Sequence, residues 1–209
     1  MQLYTYYRSS AAYRVRIALA LKNLPYESIP VHLGRGEHLH DYYRAINPQR
    51  RVPALLLDDG NLLIQSLAII EYLDEIYPSP PLLPSDPIAR AHARAVAQII
   101  SCDIHPVNNA GTRKRLTEQF GADDKALDAW TAHWIREGFA AVDRVIEPGP
   151  YAFGDRVTIA DLCIVPQVYN ARRFHIPLSD FPRVVAVDAA AKQHPAFAAA
   201  APEAQPDAE

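Results

Sequence analysis

Residues Leu3–Lys22 read LYTYYRSSAAYRVRIALALK, and the period of the side chains changes partway through this stretch. Tyr4, Thr5 and Tyr6 set aromatics and a β-branched residue side by side, which suits a short strand. After Arg8-Ser9-Ser10, Val15, Ala18 and Leu19, with Lys22 beyond, fall at helical spacing, uninterrupted by Gly or Pro. Ser9 or Ser10 is a natural N-cap. A strand that passes through a serine pair into a helix leaves two hydroxyls and several backbone N–H groups at the positive end of a helix dipole, beside the Arg8 cation. Such a corner caps the helix, or it attracts a small anion: phosphate, carboxylate or thiolate.

The chain around this stretch has 209 residues, enough for one large domain or two small ones, and its 49% hydrophobic content suffices for a packed core. Net charge is −3 and the pI is near 6.2. The first eighty residues balance eight basic against eight acidic side chains, while the remainder holds 13 and 16. No basic stripe points to nucleic acid, and no apolar run approaches the roughly 18 residues of a membrane span. The N-terminus lacks the basic and apolar regions of a secretory signal. Cys102 and Cys163 are too few for a disulfide framework, so a reduced, cytoplasmic setting is expected.

Pro25 to Val31 reads as a second strand. A short helix is expected over about Leu39–Ala45, closed by Asn47-Pro48, because the residue before proline is pushed out of the α region. Arg50–Leu57 is an apolar strand, Asp58-Asp59-Gly60-Asn61 a hairpin turn, and Leu62-Leu63-Ile64 its partner. Leu67 to about Ile76 then presents Leu67, Ile70 and Leu73 on one helical face. The pattern is an α/β unit with a small mixed sheet, best matched by a thioredoxin-like fold.

Pro78, Pro80, Pro81, Pro84 and Pro87 crowd the next ten residues and cannot form regular helix. The division expected is a thioredoxin-like domain over 1–80, a linker over 81–87, and an all-helical domain over 88–209. Within the last, Ile88 to about Asn109 is interrupted only by Pro106, Lys125–Glu147 carries Leu127, Trp130, Trp134, Phe139 and Val142 in register, and a last helix is expected over about Arg183–Gln193. Thr158 and Asp161 have capping-box spacing ahead of an apolar run, so Asp161 reads as a folding residue. The end from Ala201 to Glu209 is expected to be loose.

Ser9-Ser10-Ala11-Ala12-Tyr13-Arg14-Val15-Arg16-Ile17-Ala18-Leu19 resembles the opening signature of zeta-class glutathione transferases, a family that includes maleylacetoacetate and maleylpyruvate isomerases. The likeness recurs at Asn47-Pro48, Val52-Pro53-Ala54, Gln65–Leu73, Asp103-Ile104-His105-Pro106 and Ala160–Gln167, so it spans nearly the whole chain. Ala11 stands where the signature usually has Cys. The resemblance implies glutathione as cofactor and a homodimer. It also implies a cis proline at Pro53, Val52 pairing with the cysteinyl backbone of glutathione, and Gln65 and Ser66 holding its γ-glutamyl carboxylate. Ser9, Ser10, Ala11, His38, Asp103, His105 and Asn109 complete the implied glutathione contacts.

Ser9, Arg8 and Ser10 are the expected catalytic residues, with Ser9 donating to the glutathione sulfur and Ser10 left to cap the helix. Arg8, at the mouth of that corner, and Arg173, which matches a basic position over the site in related isomerases, are expected to clamp substrate carboxylates. Arg172 reads as a solvated surface residue. His38-Leu39-His40 lacks further ligands at a recognisable spacing, so no metal is expected. Cys102 and Cys163 read as buried small hydrophobes. The activity implied is glutathione-dependent cis–trans isomerisation of a maleyl dicarboxylate in aromatic or tyrosine catabolism. The alternatives are a transferase conjugating small electrophiles and a non-catalytic interaction module; Ala11 is the one feature favouring the last.

Overall fold

In the computed structural model, which describes residues 1–209, strand β1 (Gln2–Thr5) leads into helix α1 (Ser10–Leu21), and strand β2 (Glu27–Pro30) returns parallel to β1. Two single 3₁₀ turns and a short helix α2 (Asp41–Ile46) follow. The hairpin of β3 (Ala54–Leu56) and β4 (Leu62–Ile64) then leads into helix α3 (Ser66–Ile76). Because β3 pairs antiparallel with β1, the sheet order is β2-β1-β3-β4, a thioredoxin-like arrangement. The hairpin turn forms as expected: Gly60 supplies a φ of 88° and the Leu57 amide donates to the Asn61 carbonyl at 2.8 Å. The third strand is shorter than the sequence suggests. Arg50 sits at a φ of 54°, and pairing with β1 begins only where Ala54 meets Tyr4.

Helix α1 is buried on nearly every side, including two charged residues, Arg14 and Arg16. Arg16 spends its donors on the carbonyls of Tyr6 and Tyr7, on Thr5 Oγ1, and on the Ala200 carbonyl. Ala200 ends helix α10 (Pro195–Ala200), which packs on α1, and its carbonyl is one of those a helix terminus leaves without an internal partner. The last eighteen residues, Lys192–Glu209, therefore belong to the compact unit formed by Met1–Pro81. The expected loose end is corrected here. Asp207 accepts from the Tyr7 amide at 3.0 Å and Arg35 donates to Glu209 at 2.6 Å.

The boundary with the second unit, Leu82–Ala191, falls inside the proline run. On its near side, Lys22 Nζ donates to Asp74 and to the carbonyls of Tyr77 and Pro80 at 2.6 to 3.0 Å. Beyond it, Leu82 is buried and its carbonyl accepts from the Ile159 amide, while Asp86 caps helix α4 (Pro87–Gln98), whose first residue is proline. The segment read as a linker is thus ordered by bonds of its own.

Helix α4 continues into a π-helical turn, Ile99–Ile104, and helix α5 (His105–Asn108), with Pro106 in its first turn. The regular helix gives way at this wider turn, ahead of the proline, and α5 stops two residues after it. Helices α6 (Ala110–Phe120), α7 (Asp124–Val145), α8 (Ile159–Arg173) and α9 (Pro182–Ala191) complete the unit. Helix α6 has no buried residue, so it carries no apolar stripe from which a sequence reading could find it. Gly138 on α7 has a steric purpose: a Cβ there would stand 2.2 Å from Ile104 Cδ1. Helix α8 is buried along most of its length and starts with the expected capping box. Asp161 accepts from the Thr158 amide and hydroxyl and from the Ala152 amide. Cys163 is buried as expected, but Cys102 faces outward from the π turn and is exposed, against the expectation of a second buried thiol. No helix is long and apolar enough to cross a membrane.

Candidate active site

Five of the expected site residues in the first unit are carried to one edge by the register of the sheet. Tyr4 of β1 pairs with Ala54, the first residue of β3, and Ala54 pairs with Ile64, the last residue of β4. The end of β1, the start of β3 and the end of β4 therefore share one edge of the unit. Chain segments leaving that edge carry Arg8 and Ser9, Val52, and Gln65 with Ser66. The 3₁₀ turn holding the half-buried His38 follows β2, whose Pro30 pairs with Thr5 at the same end.

Ser9, not Ser10, is the N-cap of α1: its Oγ accepts from the Ala12 amide at 3.2 Å, and Ser10 is the first helical residue. This corrects the capping role given to Ser10. It does not remove Ser9 as a donor, because a hydroxyl that accepts through a lone pair still has its proton to give. Ala11 is the second helical residue and half-buried. Arg8 is exposed, with its guanidinium carbon 4.9 Å from the centre of the Tyr7 ring.

Val52 precedes a cis peptide bond to Pro53, as the resemblance implies. Its amide and carbonyl take no part in the backbone hydrogen bonds of the sheet. The peptide before it is clamped: Tyr43 Oη and Asn47 Nδ2 both donate to the Arg51 carbonyl at 2.7 Å. Burial pushes the Tyr43 hydroxyl well above the usual phenol range, so it stays a donor. Val52 packs in one cluster with Tyr6, Tyr7, Val31 and Tyr43. Tyr43 is a residue the sequence reading missed; no local pattern says that an aromatic of α2 will hold a carbonyl eight residues later.

Gln65 adopts φ 72° and ψ 118°, a conformation rarely occupied by a residue with a side chain, and strain of this kind gathers at ligand clamps. It is held by a bond to Gln49 at 2.9 Å. Ser66 opens α3, is buried, and accepts from Arg14 Nη1 at 3.3 Å. Serine hydroxyls and first-turn amides at two helix starts, with the Val52 backbone outside the sheet pairing, are the donor set an extended anionic peptide with a thiol requires. Glutathione fits it.

The remaining expected residues lie in the second unit. Exposed Asp103 is on the π turn and His105 opens α5. Asn109 is committed to structure: its side chain caps α6 by accepting from Thr112 and donates to the Pro106 carbonyl. The same first turn of α6 carries Arg113, whose guanidinium lies 4.9 Å from the ring of Phe174, next to Arg173. Arg113 itself donates to the Leu127 carbonyl, to Thr131 and to Asp128. The two consecutive arginines differ sharply. Arg172 is at the surface, as expected, but it is also paired with Asp188, which is 1% exposed. Arg173 is exposed and rests 5.8 Å from the Phe174 ring.

Family models for the N-terminal and C-terminal domains of glutathione S-transferase match residues 3–81 and 124–199. This chain belongs to the glutathione S-transferase family, and the two units are the thioredoxin-like and all-helical domains of that fold. It is 53% identical to maleylacetoacetate isomerase of Pseudomonas aeruginosa, over 99% of this chain and 98% of that protein. The holo structure of a maleylpyruvate isomerase, a bacterial zeta-class member, matches with a TM-score of 0.97 and 50% identity over 100% of both chains. A maleylacetoacetate isomerase of Methylobacterium extorquens, solved with malonate and glutathione bound, matches with a TM-score of 0.96 and 37% identity over 100% of both chains. The zeta-class resemblance carried by Ser9–Leu19 thus holds along the whole chain.

Proposed function

We propose that this protein is a glutathione-dependent cis–trans isomerase that converts a maleyl dicarboxylate, maleylacetoacetate or maleylpyruvate, into its fumaryl isomer during aromatic compound degradation. The observation that carries the reading is the shared edge in the first unit, where Ser9, Val52, Gln65 and Ser66 meet. Glutathione, when bound, supplies a thiol whose anion adds reversibly to an activated carbon–carbon double bond and so frees it to rotate.

The residues of the chain do the rest. Val52 offers its backbone to the cysteinyl residue, and Ser66 with the first amides of α3 receives the γ-glutamyl carboxylate. His38, Asp103 and His105 supply further polar contacts, and Asn109 shapes the corner that bears His105. Ser9 donates its proton towards the sulfur. A free thiol has a pKa of about 8.5, and lowering it by about two units takes roughly 2.7 kcal/mol of preference for the anion. A hydrogen bond to a charged group contributes about 1.5–3 kcal/mol and a helix N-terminus about 0.3–1, so Ser9 and the start of α1 suffice. Ser10 and Ala11 add the backbone of that first turn. Arg8 and Arg173 pair with the substrate carboxylates and stabilise the negative charge that gathers on its oxygens as the bond order changes.

The exposed Cys102 and buried Cys163 are free thiols, which suits a reduced, cytoplasmic setting, and the protein acts as a homodimer in keeping with its family. Turnover of maleylacetoacetate and maleylpyruvate, followed side by side with and without glutathione, tests the proposal and identifies the better substrate. Loss of substrate into a stable glutathione adduct, with no fumaryl product, would replace isomerisation by conjugation.

A further inference from the structure

Arg14 carries a full charge on α1 yet is only 2% exposed. Its Nη1 donates to the hydroxyl of Ser66 at 3.3 Å, and Ser66 is itself 6% exposed at the first position of α3, a helix of 11 residues. The direction of this bond is unambiguous. A guanidinium has only donors, so Ser66 accepts, and its single proton must point away from Arg14. The space it can point into is the start of α3, where the first amides of the helix also lack helical partners. Gln65, at φ 72° and ψ 118°, turns the chain sharply just before those amides. Hydroxyl, amides and helix dipole thus address one acceptor, with a buried cation directly behind them.

We infer that Arg14 is a positioning residue for glutathione: it makes the Ser66 hydroxyl an obligate donor and so sets recognition of the γ-glutamyl α-carboxylate. Arg14 does not touch the ligand and acts only through Ser66. This rests on the reading that places that carboxylate at Gln65 and Ser66. The arrangement is invisible in sequence because the two residues are 52 positions apart.

The test compares two ligands, glutathione and 4-aminobutyryl-cysteinylglycine, which is glutathione without that carboxylate. Dissociation constants are measured by calorimetry for the wild type, Ser66→Ala, Arg14→Gln and Arg14→Lys. Arg14→Gln is expected to weaken glutathione about tenfold and the analogue less than about twofold, raising KM for glutathione with little change in kcat. Ser66→Ala should show the same selectivity. In that background Arg14→Gln should add little, because the hydroxyl it acts through is gone. Arg14→Lys keeps the charge but not the planar fork, so a smaller loss, about threefold, still confined to glutathione, is expected. It serves as the test if Gln is not tolerated in the buried position. If Ser66→Ala weakens both ligands equally or neither, the carboxylate is not at Ser66 and the underlying reading falls. If Ser66→Ala is selective but the folded Arg14 variants weaken both ligands alike, or neither, then Arg14 serves packing alone and this inference is overturned.

Discussion

The carboxylate of Asp207 accepts a hydrogen bond from the amide of Tyr7, joining the last residues of the chain to the turn that presents Arg8 and Ser9. Tyr7 also donates through its hydroxyl to the backbone oxygen of Glu209 at 3.4 Å, and the Glu209 side chain is bonded to Arg35. His32 and the nearby guanidinium groups hold the Glu209 carboxyl below the usual range, so these contacts persist at neutral pH. Asp207→Ala leaves the amide of a buried residue without its partner, which costs on the order of 1–3 kcal/mol. The variant should melt earlier and exchange the Tyr7 and Arg8 amides faster, as read by hydrogen exchange. Unchanged exchange at Tyr7 would mean that the tail is not holding the turn.

Ser9 has two duties in this structure, and its substitution should reveal both. Ser9→Ala removes the cap of α1, at a cost of about 1 kcal/mol in urea unfolding. It should also raise the pKa of bound glutathione and cut turnover, with glutathione affinity kept within a few-fold. Ser10→Ala should do neither. A thiol titration followed by the absorbance of the bound thiolate distinguishes the two serines directly.

Ala11 stands where the family signature has Cys, and the attacking sulfur comes from glutathione. Ala11→Cys should therefore alter the isomerisation rate by less than about tenfold, or roughly 1.4 kcal/mol. A wild-type protein inert towards every maleyl substrate, and active only as the Cys variant, would refute this.

The arginine pair offers a contrast between neighbours. Arg173→Ala should lower kcat/KM for a maleyl dicarboxylate by roughly 10²–10³, and leave conjugation of a neutral chloroalkane nearly unchanged. Arg172→Ala should instead destabilise the fold, because it removes an ion pair from buried Asp188. Equal losses on charged and neutral substrates for Arg173→Ala would remove it from the substrate site.

Asp161 makes stability depend on pH. Burial outweighs the three donors around it and lifts its carboxyl from 3.8 to about 6. The folded chain therefore holds this proton more tightly than the unfolded chain does. The contribution favours folding below about pH 4 and is lost as pH rises through about 6, by an amount on the order of 3 kcal/mol. Asp161→Asn should abolish that slope between pH 4 and pH 6. It should also lower stability throughout, since one amide oxygen cannot accept from both Ala152 and Thr158. Urea midpoints across this range for both proteins provide the check.

What the sequence by itself determined is local or periodic. The strand-to-helix change at Arg8–Ser10, the hairpin at Asp58–Asn61, the cap at Thr158–Asp161 and the proline boundary each depend on residues a few positions apart. Hydrogen bonds and turn conformations at that range are set by residue type. The zeta-class signature added which helix start and which strand edge should hold glutathione. Only the tertiary structure decided the fate of Arg14, Arg16, Lys22 and Arg172. No local pattern in sequence singles them out, and each becomes buried or paired through partners between 9 and 184 residues away. The return of Lys192–Glu209 to the first unit is of the same kind, as is the exposure of Cys102 on a π-helical turn. Burying a charge is favourable only where distant carbonyls and carboxylates converge on it, and no short stretch of sequence records that convergence.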